Sequence, residues 1–210
     1  MREKDQHYYS RFPDVRFKLY TISESLRKHL YIFKTIPGVF SFRKIDLGTK
    51  ILIENMTIPR EPSILLDLGC GYGPIGIVLA NEAPNSLVYL VEINKLAIWC
   101  VKENIKLNTS DNLRRFKVFT GNFFEPLKNK DLKFDSIYMN PPLRQGRKEF
   151  IDLCYKIPNY LRPNGFFQFV IKKKMGASYI LNHLRNSFLD KKIEVLCKRS
   201  GYWVINCVFD

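Results

Sequence analysis

The 210-residue chain is short of several things, and each shortage removes a class of function. No apolar stretch reaches the ~18 residues that a membrane span needs. The opening Met1-Arg2-Glu3-Lys4-Asp5-Gln6-His7 has no signal-peptide core, so a cytoplasmic chain without membrane contact is expected. Only three histidines occur, His7, His29 and His183; they are scattered and match no metal-ligand spacing, so no metal site is expected. The five cysteines (Cys70, Cys100, Cys154, Cys197, Cys207) are odd in number and form no C-x-x-C pair. Most sit in apolar patterns and read as reduced, buried thiols. Internal repeats and low-complexity stretches are absent.

Acidic residues are also scarce, 20 Asp and Glu against 34 Lys and Arg, which leaves a formal charge of +14 and points to a polyanionic partner. The excess is uneven. The first fifty residues hold eleven basic and five acidic side chains, and a second excess lies between residues 140 and 180. Solvated lysines that serve only solubility are the bland alternative.

What is present suffices for one globular domain, since 46% of the chain is apolar. Residues 1–50 read as an N-terminal extension with strands at Val15–Tyr20 and Leu30–Thr35 around a polar turn, and a helix over Ile45–Met56 leads into a core of residues 51–210. From Ser63 strands and helices alternate: strand Ile64–Leu68, helix Ile75–Ala83, strand Val88–Ile93, helix Leu96–Leu107, strands Phe116–Thr120 and Phe134–Met139. Then come helix Lys148–Tyr160, strand Phe166–Ile171, helix Ala177–Phe188, and strands Ile193–Cys197 and Tyr202–Phe209. This is an α/β pattern. The Arg199-Ser200-Gly201 link is too short for a crossover, so the last strand is expected to run antiparallel.

Two motifs follow strand-like runs. The first, Asp67-Leu68-Gly69-Cys70-Gly71-Tyr72-Gly73, is glycine-rich, and Gly71-Tyr72-Gly73-Pro74-Ile75-Gly76 also satisfies the dinucleotide fingerprint G-x-G-x-x-G. Asp67 at the strand end disfavours a diphosphate and favours a cationic amino-acid group, such as that of S-adenosylmethionine (SAM). Gly69, Gly71 and Gly73 allow close approach of the backbone, Pro74 suits a first helical turn, and Glu92 ends the next strand where a carboxylate can accept from both ribose hydroxyls. The second motif is Asn140-Pro141-Pro142-Leu143. An exocyclic amine on a base is a poor nucleophile because its lone pair is delocalised into the ring. If the Asn140 side-chain oxygen and the Pro141 carbonyl accept its hydrogens, the nitrogen can pyramidalise toward a methyl donor. The two prolines fix the loop. Either motif alone also describes an ordinary turn after a strand.

With these motifs the chain resembles the class I SAM-dependent methyltransferases, and within them the small methyltransferase domain typified by ribosomal small-subunit guanine-N2 methyltransferases. The resemblance also rests on His7-Tyr8-Tyr9-Ser10, on Gly38-Val39-Phe40-Ser41 followed by Asp46-Leu47-Gly48-Thr49, and on Lys173-Lys174-Met175-Gly176-Ala177. It implies a Rossmann-like sheet of seven strands in the order 3-2-1-4-5-7-6. It implies SAM held by Asp67, Gly69, Gly71, Gly73 and Glu92, with Asn122, Phe123 and Asn140 beside it. Asn140, Pro141, Pro142 and Leu143 would hold the target amine, and the Gly38–Ser41 segment would line the active site. The family usually has Asp where Asn122 stands, an acidic and a small residue at Ile36-Pro37, and in many amine methyltransferases an aromatic residue at Leu143; Phe40 can replace that stacking platform.

The implied activity is N-methylation of a base amine in structured RNA, most simply ribosomal, with guanine N2 favoured and cytosine N4 and adenine N6 as alternatives. Arg144, Arg147 and Lys148, with Lys172, Lys173 and Lys174, would contact its phosphates. Two rival readings are a protein glutamine-N5 methyltransferase, which also uses Asn-Pro-Pro, and a catalytically idle RNA-binding subunit. A dehydrogenase ranks below both, because Asn-Pro-Pro has no role in hydride transfer.

Overall fold

Seven strands form one mixed sheet flanked by helices on both faces, and a separate two-stranded hairpin precedes it. In this computed structural model the described residues are 18–109, 113–143 and 146–209. In chain order the elements are β1 (Tyr20–Leu26), β2 (His29–Thr35), α1 (Leu47–Asn55), β3 (Ile64–Leu68), α2 (Pro74–Glu82), β4 (Leu87–Glu92), α3 (Lys95–Asn108) and β5 (Phe116–Thr120). There follow β6 (Phe134–Met139), α4 (Arg147–Cys154), β7 (Leu161–Lys172), α5 (Ala177–Ser187), β8 (Lys192–Arg199) and β9 (Tyr202–Phe209). The sheet order is β5-β4-β3-β6-β7-β9-β8, the order expected once the hairpin strands are set aside. β3 to β7 run parallel, and β9 lies antiparallel between β7 and β8.

The β8–β9 link tightens to Ser200-Gly201, both with left-handed φ (50° and 76°), the geometry that matches strand twist in a two-residue hairpin. The carboxyl ends of β3, β4 and β6 point to the same edge, and the strand order reverses between the parallel neighbours β3 and β6, which opens the crevice where ligands of such sheets gather.

Three expected elements shift. The first described strand runs Tyr20–Leu26 and overlaps the expected Val15–Tyr20 only at Tyr20; the first three residues of that stretch lie outside the described ones, as does His7-Tyr8-Tyr9-Ser10. β1 carries Thr21, Ser23 and Ser25 on its exposed face and buries Ile22 and Leu26, so a stretch read as a polar turn is a half-buried strand. Its turn is Arg27-Lys28, at φ 47° and 69°. The expected helix Lys148–Tyr160 stops at Cys154, and a short 3-10 turn over Ile157–Tyr160 contains Pro158, which cannot continue an α-helical ladder. β7 begins five residues early, with Leu161 pairing Phe134 before a register shift to Phe166 opposite Ser136.

Long-range polar contacts lock the hairpin to the core. Asn104 and Asn108, one turn apart on α3, each bond both backbone groups of a β2 residue, Lys34 and Ile32, at 2.6–3.0 Å, and so stand in for a missing neighbour strand. Arg27 donates to the carbonyls of Ile53 and Met56 at the end of α1 and pairs with Glu82 at the end of α2 (3.0 Å). A guanidinium there satisfies carbonyls that the helix leaves open. Four of the five cysteines are buried, Cys197 is partly exposed, and all are free thiols.

Candidate active site

The glycine loop leaves β3 at Asp67-Leu68 and enters α2 at Pro74, as the sequence predicts. Gly69, Gly71 and Gly73 take φ of 74°, 57° and 94°, a region that costs other residues about 1 kcal/mol or more each. Gly76 serves a different need: a Cβ there would lie 2.6 Å from Leu90, so its absence lets α2 press against β4.

Asp67 is fully buried. Its Oδ2 accepts the Gly76 N–H at 2.8 Å, while Oδ1 has no partner among the described residues. Burial raises its carboxyl to about 7, opposed by the Gly76 N–H and reinforced by the nearby Glu92 charge. An orphaned buried carboxylate oxygen costs free energy, and a ligand carrying a cationic donor would recover it. Glu92 is half-buried, its Oε2 accepting the Gly71 N–H (2.9 Å) and its Oε1 the Asn94 N–H (2.8 Å). Each oxygen keeps a second lone pair for a hydroxyl. Ile93, next in sequence, is 64% exposed at the same edge.

Asn140 follows β6. Both hydrogens of its amide are committed, one to Asp46 Oδ2 (3.0 Å) and one to Thr49 Oγ1 (2.8 Å), so its oxygen is the group left to accept. Asp46 is also the N-cap of α1, accepting the Thr49 N–H at 3.1 Å. The Pro141 carbonyl already accepts the Leu143 N–H (2.9 Å), so one of its two lone pairs is engaged within the loop. Pro141 is buried, Pro142 exposed, and Leu143 packs on the core beneath α4 and α5.

One cavity collects Asn140, Asp46, Thr49, Phe40 and Ser41 with Gly69, Gly71, Tyr72 and Pro74. The glycine loop and the Asn-Pro-Pro loop therefore share a space, and Phe40, 58% exposed, borders it. The segment carrying Phe40 is tied down at Gly38, whose carbonyl accepts Asn94 Nδ2 (2.8 Å). Asn122 and Phe123 lie outside this cavity, after β5, where Gly121 N–H donates to the Glu92 carbonyl (3.0 Å). Asn122 is exposed and Phe123 half-buried at φ 46°. A more open cleft of about 380 Å³, around Leu127–Lys133 and Tyr160, lies at the amino ends of β6 and β7, away from both motifs.

Among the predicted basic residues, Arg147 lies against Gly176, where a Cβ would meet its Cδ at 2.7 Å, and over the Tyr179 ring at 5.0 Å. Arg147 and Lys148 thus adjoin the Lys172–Lys174 segment; Lys148, Lys173 and Lys174 are exposed, and Lys172 lies over Tyr202 (5.2 Å). Arg144 lies outside the described residues. Lys198 and Arg199 at the end of β8 extend this basic edge and were not singled out from the sequence, because β8 reads there as an ordinary solvated strand end. Asn94 is likewise an addition, and Asp46 and Thr49, which helped to carry the resemblance, gain a place in the site only here. Their local signal is helix capping, and only the fold joins them to Asn140 and Gly38.

Residues 30–206 match the family model described as Methyltransferase small domain. The uncharacterized protein YbxB of Bacillus subtilis (strain 168) is 32% identical over 200 residues, 95% of this chain and 96% of that protein. Ribosomal RNA small subunit methyltransferase C of Photorhabdus laumondii is 30% identical over 161 residues, 75% of this chain but 45% of the relative. The chain thus spans less than half the length of that rRNA methyltransferase. Among solved structures, the T. thermophilus 16S rRNA N2 G1207 methyltransferase (RsmC) in complex with AdoMet and guanosine aligns with a TM-score of 0.74 at 22% identity, over 90% of this chain and 50% of that one. A methyltransferase from Pyrococcus furiosus aligns at 0.62 and 19% identity over 82% of this chain and 85% of that one. At those identities the likeness carries the fold.

Proposed function

The chain belongs to the methyltransferase small domain family and is a SAM-dependent methyltransferase, and from that premise we propose that it methylates the exocyclic amine of a base in structured RNA, with ribosomal RNA and guanine N2 favoured. The observation that carries this reading is the fixed amide of Asn140: with both hydrogens held by Asp46 and Thr49, it offers only an acceptor to the cavity it shares with the glycine loop. An amine about to be methylated needs acceptors and not donors around it.

SAM bound at the glycine loop supplies a methyl group on a positively charged sulfur. Asp67 would hold its ammonium through the unpartnered Oδ1, Glu92 its ribose hydroxyls, and Asn122 and Phe123 its adenine. Asn140 would accept one amine hydrogen and the free lone pair of Pro141 the other, drawing the nitrogen out of conjugation with the ring. Phe40 would stack on the base. The amine proton leaves once the nitrogen is cationic, so no strong general base is needed.

RNA as partner is supported by the charge of +14 and by the basic edge from Arg147 and Lys148 to Lys172, Lys173 and Lys174, beside the cavity. A glutamine side chain would not call for that edge. The small-subunit rRNA methyltransferases among the relatives support the ribosomal choice. Nucleoside mass spectrometry of rRNA from a strain lacking the protein, with and without the purified enzyme and SAM, tests the reading: one N-methylated base should vanish and return. An unchanged nucleoside profile, with methyl transfer to a glutamine peptide, would replace it.

A further inference from the structure

Asp46 is more than the cap of a helix. Its Oδ2 accepts both the Thr49 N–H and the Asn140 amide, whereas its Oδ1 accepts no hydrogen bond among the described residues, and the side chain lines the same cavity as Asn140 and Phe40. Two side chains tied to each other therefore each keep one acceptor, Asn140 Oδ1 and Asp46 Oδ1. The third acceptor of the site, the Pro141 carbonyl, is half used by Leu143.

The bases that carry an exocyclic amine differ in what stands next to it. In guanine the amine adjoins a ring N–H, so the edge presents two donors side by side. In adenine and cytosine it adjoins a ring nitrogen with a bare lone pair. An ionised carboxylate can only accept. Beside guanine it gains a charge-assisted hydrogen bond, and beside adenine or cytosine it faces another acceptor with nothing between them. Polar groups left unpaired in a closed site are what let such a site reject an analogue strongly.

Resting on the RNA-base reading above, we propose that Asp46 is a specificity-determining residue that selects guanine, its free Oδ1 accepting the ring N–H while Asn140 Oδ1 accepts the neighbouring amine hydrogen. The fixed Asp46–Asn140 bond holds the two acceptors in register.

The test is Asp46→Asn. Asparagine is an equally good N-cap, and its oxygen can keep both the Thr49 and the Asn140 contacts. Its NH2 then stands where the free carboxylate oxygen was and matches adenine or cytosine instead. With unmodified small-subunit rRNA transcript and SAM, wild type should yield N2-methylguanosine alone. The variant should lose guanine methylation by a factor on the order of 10² or more and gain adenine or cytosine methylation relative to it. SAM affinity and melting temperature should stay near wild type.

A second measurement does not depend on turnover. In the presence of S-adenosylhomocysteine, guanosine should bind wild type at least tenfold more tightly than 2-aminopurine riboside, which keeps the amine but lacks the ring N–H. In Asp46→Asn that preference should disappear. Equal binding of the two nucleosides to wild type overturns the assignment. So does a guanine rate near wild type in the variant, or a loss of guanine methylation accompanied by lost SAM binding. If wild type methylates adenine or cytosine, the RNA-base reading stands and the role of Asp46 falls. If it methylates a glutamine peptide and no base, both fall.

Discussion

The two halves of the candidate site are built in opposite ways. The cofactor half is a contiguous βαβ unit whose defining bonds join near neighbours: Gly76 to Asp67 across nine residues, Gly71 to Glu92 across 21, Asn94 to Glu92 across two. The amine half joins Asn140 to Asp46 across 94 residues and to Thr49 across 91. The first half is incomplete by itself, because a buried carboxylate oxygen of Asp67 goes unpaired among the described residues. In the second half both amide hydrogens of Asn140 are already bound. Under the proposed function a ligand would complete one half, whereas the other would meet its substrate preorganised.

If that contrast is right, the largest effect of a single change should be a gain. Asp67 is raised from its ordinary 3.8 to about 7 in the folded protein, so folding favours its protonated form; the stability it allows is full below pH 4 and is lost as pH rises toward 7. Across that window the shift amounts to about 4 kcal/mol. Asp67→Asn keeps an acceptor for the Gly76 N–H and carries no charge. Urea denaturation of the ligand-free protein at pH 8 should find the variant more stable than wild type by up to about 4 kcal/mol, with the gap closing toward pH 4. Its SAM affinity should fall. A variant less stable at pH 8 would mean that the carboxylate is structural and the half complete without ligand.

Glu92→Ala comes next and sharpens the contrast from the cofactor side. It removes an acceptor proposed for two ribose hydroxyls and should weaken SAM binding in calorimetry by roughly 1.5–3 kcal/mol. Because Gly71 and Asn94 also lose their acceptor, the loop should exchange its amide hydrogens faster while the hairpin and the Asn140 loop do not. Unchanged affinity would remove Glu92 from the cofactor site.

The smallest effect belongs to the rim. Replacing Arg147 and Lys148 with Ala should lower the slope of log RNA affinity against log salt by about 0.7–0.9 for each lost phosphate contact. SAM binding should stay the same. A constant slope with RNA still bound would move the nucleic-acid surface elsewhere, with Lys198 and Arg199 on β8 and the basic hairpin as the next places to probe.

The same contrast decides what was legible in the sequence. The α/β class and the antiparallel final strand follow from βα alternation and a link too short for a crossover, both local properties of the chain, whereas the strand order came from the family resemblance. The places of Asp67, the three loop glycines and Glu92 at the ends of β3 and β4 could be read from the same local pattern. Asn140 was visible by its prolines, but the direction of its amide was not, since that depends on Asp46 and Thr49 arriving from the segment before the first sheet strand. β1 was displaced because Thr21, Ser23 and Ser25 disguise a strand buried on one face, and α4 was overextended because its apolar spacing continues past Cys154 while Pro158 ends the ladder. The pairing of Asn104 and Asn108 with β2 has no local signature. In a helix pattern the two are polar residues one turn apart, and only the docked hairpin gives them a partner.

The most direct test of the account is to measure SAM binding and methyl transfer on one variant, Asn140→Ala. If the cofactor half is self-contained and the fixed amide acts on the amine, calorimetry should return a SAM affinity near that of wild type, while transfer to RNA falls by a factor on the order of 10² or more. A variant that methylates RNA at close to the wild-type rate, or one that fails to bind SAM, would contradict it.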